Sequence, residues 1–503
     1  MPPVASGALV ALSFPNAGLY LLAWVGVIPL LLSLWQKDWR AAFKSGFVFG
    51  ICYFFGTLYW IYHSMNHYGG ISFLSSIALV FLLCAYLSLF TAIFSGLFCL
   101  AYQRTKFPAL FLAPVLWVAL EFVRSYALTG FPWSSIGYSQ YRLLPIIQVA
   151  DITGIYGISF LLLAFNGAIA DLLLIRKRLA KMPLFPLSYT ISGGVCLLCL
   201  MASVLGYGFY KLYEQRPGNP VTISVIQGNI EQDRKWEPVY QAEVMATHER
   251  LSREALLEKP SLLVWPETAL PFVFGSDVPN TARLLRFQKE TGTPLLFGSI
   301  LVKASVPQRT ELSNSALLLS KDGQIIYSYD KIHLVPFGEY VPLRNILFFI
   351  DKLVVGIGDY VSGRQYLRAE TDFGSFGTVI CYEIIFPGLV RKFFVHGGDF
   401  IVTITNDAWF GRTAGPLQHF SMAVFRAIEN RKPLIRAANT GISGFVDSNG
   451  RILSSSGLFS RQVLTKSITT DSSLTLYTKF GDLFSYLCIV ISIILSVNLF
   501  SRR

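Results

Sequence analysis

Charge is scarce in this chain: only 14% of its 503 residues are Asp, Glu, Lys or Arg, and none occurs before Lys37 or between Lys44 and Arg104. With 53% hydrophobic residues, that scarcity excludes an ordinary soluble protein and requires the bilayer to be considered first. No early basic residue precedes the apolar run Val4 to Phe14, which argues against a secretory signal and leaves a short span or a re-entrant piece. No repeat or low-complexity tract is present.

The apolar runs that are there predict spans near Val4–Phe14, Leu19–Trp35, Phe43–Tyr62, Ile71–Tyr102, Pro108–Leu128, Ile146–Ile175, Leu187–Tyr210 and Leu483–Phe500. That makes about eight, seven of them in a segment 1–213 and the last at 483–500. Between them, residues 217–471 have the mixed composition of a water-soluble domain. Lys37, Arg40, Lys44, Arg104, Lys106, Arg176, Lys177, Arg178, Lys181, Arg502 and Arg503 all fall in loops after even-numbered spans, opposed only by Asp38. The alternate loops, Pro15–Asn16 and His63–Gly70, hold no Lys or Arg. Because positive loops stay on the cytoplasmic side, both termini are expected there and the large domain outside. The net charge of +12 is then mostly a topology signal, with no nucleic-acid partner implied.

Six of the seven cysteines lie in apolar runs, so Cys381 is the one thiol of the outer domain and lacks a disulfide partner there. It is either buried filler or a reactive group. Cys196 and Cys199, inside a span, read as small apolar helix residues.

Alternation of short β-rich runs with amphipathic stretches predicts an α/β outer domain. Strands are expected at Val221–Gln227, Ser261–Trp265, Pro294–Ser299, Ser315–Ser320, Ile325–Tyr329, Gly377–Cys381, Phe400–Thr405, Leu434–Ala438 and Gly444–Asp447. Helices are expected at Glu237–Leu257, Asn280–Thr291, Pro387–Val395 and Leu417–Asn430. Lys321-Asp322-Gly323 and Ser448-Asn449-Gly450 are hairpin turn signals.

Polar residues just past strand ends are where such folds place chemistry: Glu267, Cys381, Asn406 and Asp407, joined by Lys331 after the Ile325 strand. A thiol needs a base, and Glu267 is suited to take its proton. The Lys331 ammonium would lower the thiol pKa and, with the backbone N–H after Cys381, stabilise an oxyanion. Taken singly, each residue reads more readily as structural; the joint pattern favours chemistry. A Cys and His pairing is a competing arrangement, with His333, His396 and His419 available, though His333 would point away from Lys331.

Trp265-Pro266-Glu267, Tyr329-Asp330-Lys331 and Ile380-Cys381-Tyr382-Glu383 resemble the Glu, Lys and Cys motifs of the nitrilase superfamily. The strings His333-Leu334-Val335-Pro336-Phe337-Gly338-Glu339-Tyr340-Val341-Pro342, Thr405-Asn406-Asp407-Ala408-Trp409-Phe410-Gly411 and Thr129-Gly130-Phe131-Pro132-Trp133 are similar to the apolipoprotein N-acyltransferase family over nearly the whole chain. That resemblance implies a multi-pass helical membrane domain with an α-β-β-α sandwich, located at the bacterial inner membrane with the sandwich on the periplasmic side. It also implies ping-pong transfer of an acyl chain from a membrane glycerophospholipid to a diacylglyceryl apolipoprotein, without metal or diffusible cofactor. Glu267 is then base, Lys331 stabiliser and Cys381 nucleophile. Glu339 and Glu383 would orient Lys331 and Cys381, and Trp236, Tyr382 and Trp409 are candidate pocket walls. A monomer is expected.

Asn345–Gly356 reads equally as an arm dipping into lipid or as a core helix, and Leu270–Phe274 admits the same two readings. Glu121 and Arg124, one helical turn apart in a span, either pair or serve a headgroup. The rivals are a membrane-tethered amidase using the same three residues and a non-catalytic transporter or scaffold.

Overall fold

The computed structural model describes residues 1–105, 107–178, 187–306, 309–341 and 359–501. The expected arm Asn345–Gly356, together with Lys106, Lys181, Pro342, Arg502 and Arg503, lies outside the described residues. The chain divides into two compact units. One comprises Met1–Tyr62, Ile71–Glu214 and Phe480–Arg503; the other comprises His63–Gly70 and Gln215–Lys479.

In the helical unit, four helices among the described residues are long and apolar enough to cross a membrane: Trp39–Leu58, Phe73–Thr105, Ile155–Leu174 and Ile191–Tyr213. Shorter apolar helices occupy Pro2–Leu12, Tyr20–Leu34, Leu144–Thr153 and Leu483–Leu499. The expected span Leu19–Trp35 is not one helix: a 3-10 turn, Tyr20–Trp24, precedes the helix Ile28–Leu34. Buried Asn166 holds the break open, donating to Ala23 O at 2.9 Å and accepting from Val27 N at 2.9 Å. The expected span Ile146–Ile175 is likewise broken, at Gly154 with φ 63°, where a left-handed backbone ends the turn Ala150–Thr153.

Helix packing here depends on small residues, as expected where lipid supplies no hydrophobic drive between helices. Gly46 and Gly50 of Trp39–Leu58 lie against Ser88, Thr91 and Ser95 of Phe73–Thr105, and a β-carbon on Gly46 would come 2.3 Å from Thr91 O. Glu121 and Arg124 are both buried and serve the protein itself. Arg124 donates to Trp133 O at 2.7 Å and to Ser135 Oγ at 3.1 Å, and Glu121 accepts from Ile136 N at 2.9 Å. The pair therefore fastens the loop that follows Thr129–Trp133.

The α/β unit is built on two sheets. The first runs, edge to edge, Gln462–Thr469, Pro220–Gln227, Leu262–Val264, Leu295–Val306, Arg309–Leu319 and Ile325–Asp330, with Asp359–Tyr360 also paired to Arg309–Leu319. The second runs Ile452–Ser455, Gly444–Val446, Leu434–Ala438, Phe400–Thr405, Gly374–Ile380 and Arg368–Thr371. Both turn signals form: Gly323 (φ 79°) and Gly450 (φ 83°) close the hairpins onto Ile325–Asp330 and Ile452–Ser455.

Helices Gln241–Ala255 and Val278–Thr291 cover the first sheet through Met245, Leu251, Leu284 and Phe287, packed with Trp265, Leu295, Phe297 and Leu317. On the second sheet, Phe420 and Ile428 of the helix Gly415–Asn430 lie against Gly444 and Gly450. Period-two alternation joins the layers: Phe376 meets Tyr327 of the other sheet at 6.1 Å between ring centroids, while Gly377 faces Phe393 on the helical side. The order is helix, sheet, sheet, helix. Leu270, Phe272 and Phe274 belong to the first sheet's core, which decides that stretch for the core reading.

Candidate active site

Three loops leaving strand ends converge in the α/β unit. Glu267 follows Leu262–Val264 and is pressed against Gly298, where a β-carbon would lie 2.6 Å from Glu267 Cα; only a glycine admits this close approach. Its Oε1 accepts from Asn314 Nδ2 at 2.7 Å and its Oε2 from the backbone N–H of Asn406 at 2.8 Å. Lys331, 1% exposed, brings its ammonium 3.6 Å from Glu267 Oε1 and 2.9 Å from Glu339 Oε1. Asn314 Nδ2 also reaches Glu339 at 3.0 Å, and Val335 N–H donates to the other Glu339 oxygen at 2.7 Å. Against the penalty of burial, the carboxylates of Glu339 and Glu267 hold the Lys331 ammonium well above the usual lysine range.

Cys381 sits where Gly374–Ile380 breaks into the 3-10 turn Cys381–Ile385, with φ 52°, a left-handed backbone that few non-glycine residues adopt. Burial, and then the charge of Glu267, push the Cys381 thiol far above its ordinary value, and the opposing pull of Lys331 does not offset them.

Glu383 is fully buried and touches neither the Lys331 ammonium nor the thiol. Its Oε1 accepts from Tyr329 Oη at 2.8 Å, Ile332 N at 2.7 Å and His333 N at 3.1 Å, and its Oε2 from Ile380 N at 2.7 Å. It thus ties the loop after Lys331 to the strand end before Cys381, orienting both through backbone. Burial raises its pKa to about 7.

Tyr382 is buried, with its ring 5.8 Å from that of His333; Trp236 and Trp409 are half-buried. Trp409 is anchored by His63–Gly70, a segment that lies between apolar helices in sequence yet belongs to the α/β unit. Tyr68 packs on the Trp409 ring at 4.9 Å, Ser64 Oγ donates to Trp409 O at 2.6 Å, and Tyr68 Oη donates to Ala408 O at 3.2 Å.

The three histidines separate. His396 is exposed. His333 packs on Phe386 at 3.9 Å, and burial with the nearby Lys331 charge lowers its pKa to about 4. His419 does reach Cys381, but at the backbone carbonyl, 3.1 Å from Nε2. Among the described residues no His ring is hydrogen-bonded to the Cys381 sulfur.

Several groups escaped the sequence reading. Asn314 lies one residue before the expected start of its strand. Lys235, beside exposed Arg234, reads as a surface cation yet is 2% exposed; its ammonium donates to Glu267 O at 3.2 Å and Thr268 Oγ1 at 2.6 Å. Burial lowers its pKa to about 8. Asp407, noted only for its strand-end position, accepts from Arg436 at 2.8 Å and Thr405 Oγ1 at 2.9 Å.

Residues 6–168 match the family model described as Apolipoprotein N-acyltransferase N-terminal domain, and residues 222–474 match the Carbon-nitrogen hydrolase model. A relative named apolipoprotein N-acyltransferase from Geobacter metallireducens is 43% identical over 99% of this chain and 95% of its own length. One of the same name from Pasteurella multocida is 31% identical over 95% of this chain and 91% of its own.

Proposed function

This chain belongs to the apolipoprotein N-acyltransferase family, and from that premise we propose that it carries an acyl chain on Cys381 from a membrane glycerophospholipid to the N-terminal amine of a diacylglyceryl-cysteine lipoprotein. The observation that carries the reading is the convergence of Glu267, Lys331 and Glu339 in one buried charge cluster whose field reaches the Cys381 thiol.

In the first half, Glu267 takes the thiol proton as sulfur attacks the ester carbonyl. A C–S bond forms, and the C–O bond to glycerol breaks. The leaving alkoxide receives the proton from Glu267 and departs as lysophospholipid. In the second half, the neutral α-amine attacks the thioester carbonyl, a C–N bond forms and the C–S bond breaks. The amine's surplus proton passes through Glu267 to the departing sulfur, restoring the thiol. Lys331 and the Tyr382 backbone N–H are the donors assigned to the carbonyl oxygen as it gains charge in each half. The thioester suits this division because an amine opens it more readily than the starting oxygen ester, provided water is excluded. The chemistry calls for no metal or diffusible cofactor.

The scheme places about eight spans at 1–213 and 483–500, both termini in the cytoplasm, and the nitrilase-like domain 217–471 on the periplasmic face of a bacterial inner membrane, in a monomer. The distribution of cations and the apolar helices support that arrangement. The test is kinetic. Varying phospholipid against a diacylglyceryl peptide with a free amine should give parallel double-reciprocal lines, with lysophospholipid appearing before acceptor is added. Converging lines, or Cys381→Ser retaining activity, would defeat the proposal; hydrolysis outpacing aminolysis would favour an amidase instead.

A further inference from the structure

His419 occupies a position that the reaction scheme leaves unused. It projects from the buried helix Gly415–Asn430, is fully buried, and has both ring nitrogens engaged. Nε2 lies 3.1 Å from the Cys381 carbonyl oxygen, which can only accept, so Nε2 carries the proton. Nδ1 lies 2.9 Å from an Arg436 guanidinium nitrogen, which can only donate, so Nδ1 presents its lone pair. Arg436 is held in turn by Asp407 Oδ2 at 2.8 Å and by Ile442 O at 3.1 Å. Asp407 Oδ1, 3.0 Å from Nδ1, is the other claimant for that nitrogen. Burial and the Arg436 charge lower the ring's pKa against the opposing pull of Asp407, which favours the neutral ring that the Cys381 carbonyl and Arg436 require.

The bond falls on the one peptide whose orientation matters most. Cys381 has φ 52°, a conformation that an L-residue abandons unless its surroundings enforce it. A trans peptide is planar, with its C=O and the following N–H pointing in opposite directions. Drawing the Cys381 carbonyl toward His419 therefore turns the Tyr382 N–H the other way. Tyr382 is the second residue of the turn Cys381–Ile385, among the amides that precede a helix's internal bonding.

We propose that His419 is a positioning residue: by fixing the Cys381 carbonyl it aims the Tyr382 N–H at the oxygen that becomes negative in both acyl-transfer steps. Arg436, itself held by Asp407 Oδ2, keeps His419 in the tautomer that allows this. The inference rests on the reading of Cys381 as the acyl carrier.

Full-length wild type, His419→Phe, His419→Asn and His419→Gln are compared in detergent micelles containing diacyl phosphatidylethanolamine. One readout is the single-turnover rate of thioester formation on Cys381, followed by mass; the other is the rate of Cys381 alkylation by iodoacetamide. Alkylation displaces iodide and forms no oxyanion, so it reports an intact thiol without needing the Tyr382 N–H. His419→Phe and His419→Asn should slow thioester formation about 10- to 100-fold, short of the loss expected when an oxyanion donor is removed outright, while alkylation stays at the wild-type rate. His419→Gln, whose amide reaches the ε position, should recover most of the acyl transfer.

Wild-type speed in His419→Phe, no recovery in His419→Gln, or alkylation falling in step with acylation would overturn the proposal. If His419→Phe fails to accumulate, the Gln and Asn variants carry the same contrast. A wild type that forms no Cys381 adduct would remove the acyl-carrier reading itself, whereas a normal wild-type adduct with an unaffected His419→Phe would remove this inference alone.

Discussion

Lys331 is a buried cation balancing two carboxylates, and replacing it with methionine exposes the energetics of the whole cluster. Its ammonium lies 2.9 Å from Glu339 and 3.6 Å from Glu267, with 1% of its side chain exposed. Lys331→Met keeps the bulk of the side chain and leaves two negative groups sharing the single amide of Asn314. Breaking a buried pair in this way costs about 3–5 kcal/mol, because the stranded charge stays desolvated. For a unit of this size that corresponds to a melting point lower by on the order of 10 °C.

The pH dependence follows from the same charges. Without the cation, proton uptake by the carboxylates relieves the repulsion, so the folded variant binds protons more tightly than its unfolded chain. Its deficit is then largest at neutral pH and shrinks as the medium approaches the ordinary carboxylate range. Lys331→Met/Glu339→Gln, with one negative charge removed, should recover a large part of the lost stability while remaining inactive. The assay is thermal unfolding of detergent-solubilised protein followed by tryptophan fluorescence, for wild type, both single variants and the double variant between pH 5 and 8. Additive costs in the double variant, or a Lys331→Met deficit below about 1 kcal/mol at neutral pH, would mean that the three charges do not form one network, since groups in one network are expected to couple.

Glu383, with its pKa raised to about 7, accepts four hydrogen bonds that a protonated carboxyl cannot all keep, so activity should fall toward acid with a midpoint near pH 7. Its effect on stability has the opposite sign: a raised folded-state pKa contributes stability fully present below the ordinary carboxylate value and lost as pH rises through about 7. Glu383→Gln should be poorly active at every pH, and an unchanged acid limb in its residual activity would count against the assignment. Lys235→Met should lower the acyl-transfer rate about 10-fold by loosening the Glu267 backbone. Because the folded Lys235 gives up its proton near pH 8 and the unfolded one only near 10.5, this group adds stability as pH rises between those values. Melting curves of wild type should show that alkaline gain relative to Lys235→Met, and identical pH trends would contradict it.

Glu267, Lys331 and Cys381 stand out in the sequence because each is a polar residue placed where a β-rich run stops, and the structure has each leave a strand end as that pattern suggests. What local sequence does not report is depth. The Lys331 charge suggested an acidic thiol, but the solvent lost around Cys381 outweighs one cation. Lys235 and Arg436 look like surface charges in isolation, yet one is 2% exposed and the other fully buried. His419 was noticed only as a candidate base; it lies 38 residues beyond Cys381 in sequence and its helix presents the ring to a backbone oxygen, a partner no motif reveals.

Sheet edges escaped for a related reason. Gln462–Thr469 and Ile452–Ser455 are largely solvent-exposed, so neither shows the apolar alternation that marks a half-buried strand. In the helical unit, hydropathy finds apolar runs but is blind to a buried amide such as Asn166, which splits the run Leu19–Trp35 by bonding its backbone.

In the proposed cycle the Cys381 sulfur bears the acyl chain between donor and acceptor. Incubating the purified protein with phospholipid alone and weighing the peptide that contains Cys381 tests it most directly. A long-chain acyl adduct should form at that residue and disappear when a diacylglyceryl peptide with a free amine is added. An adduct on another residue, or none under conditions where the N-acylated product is formed, would contradict it.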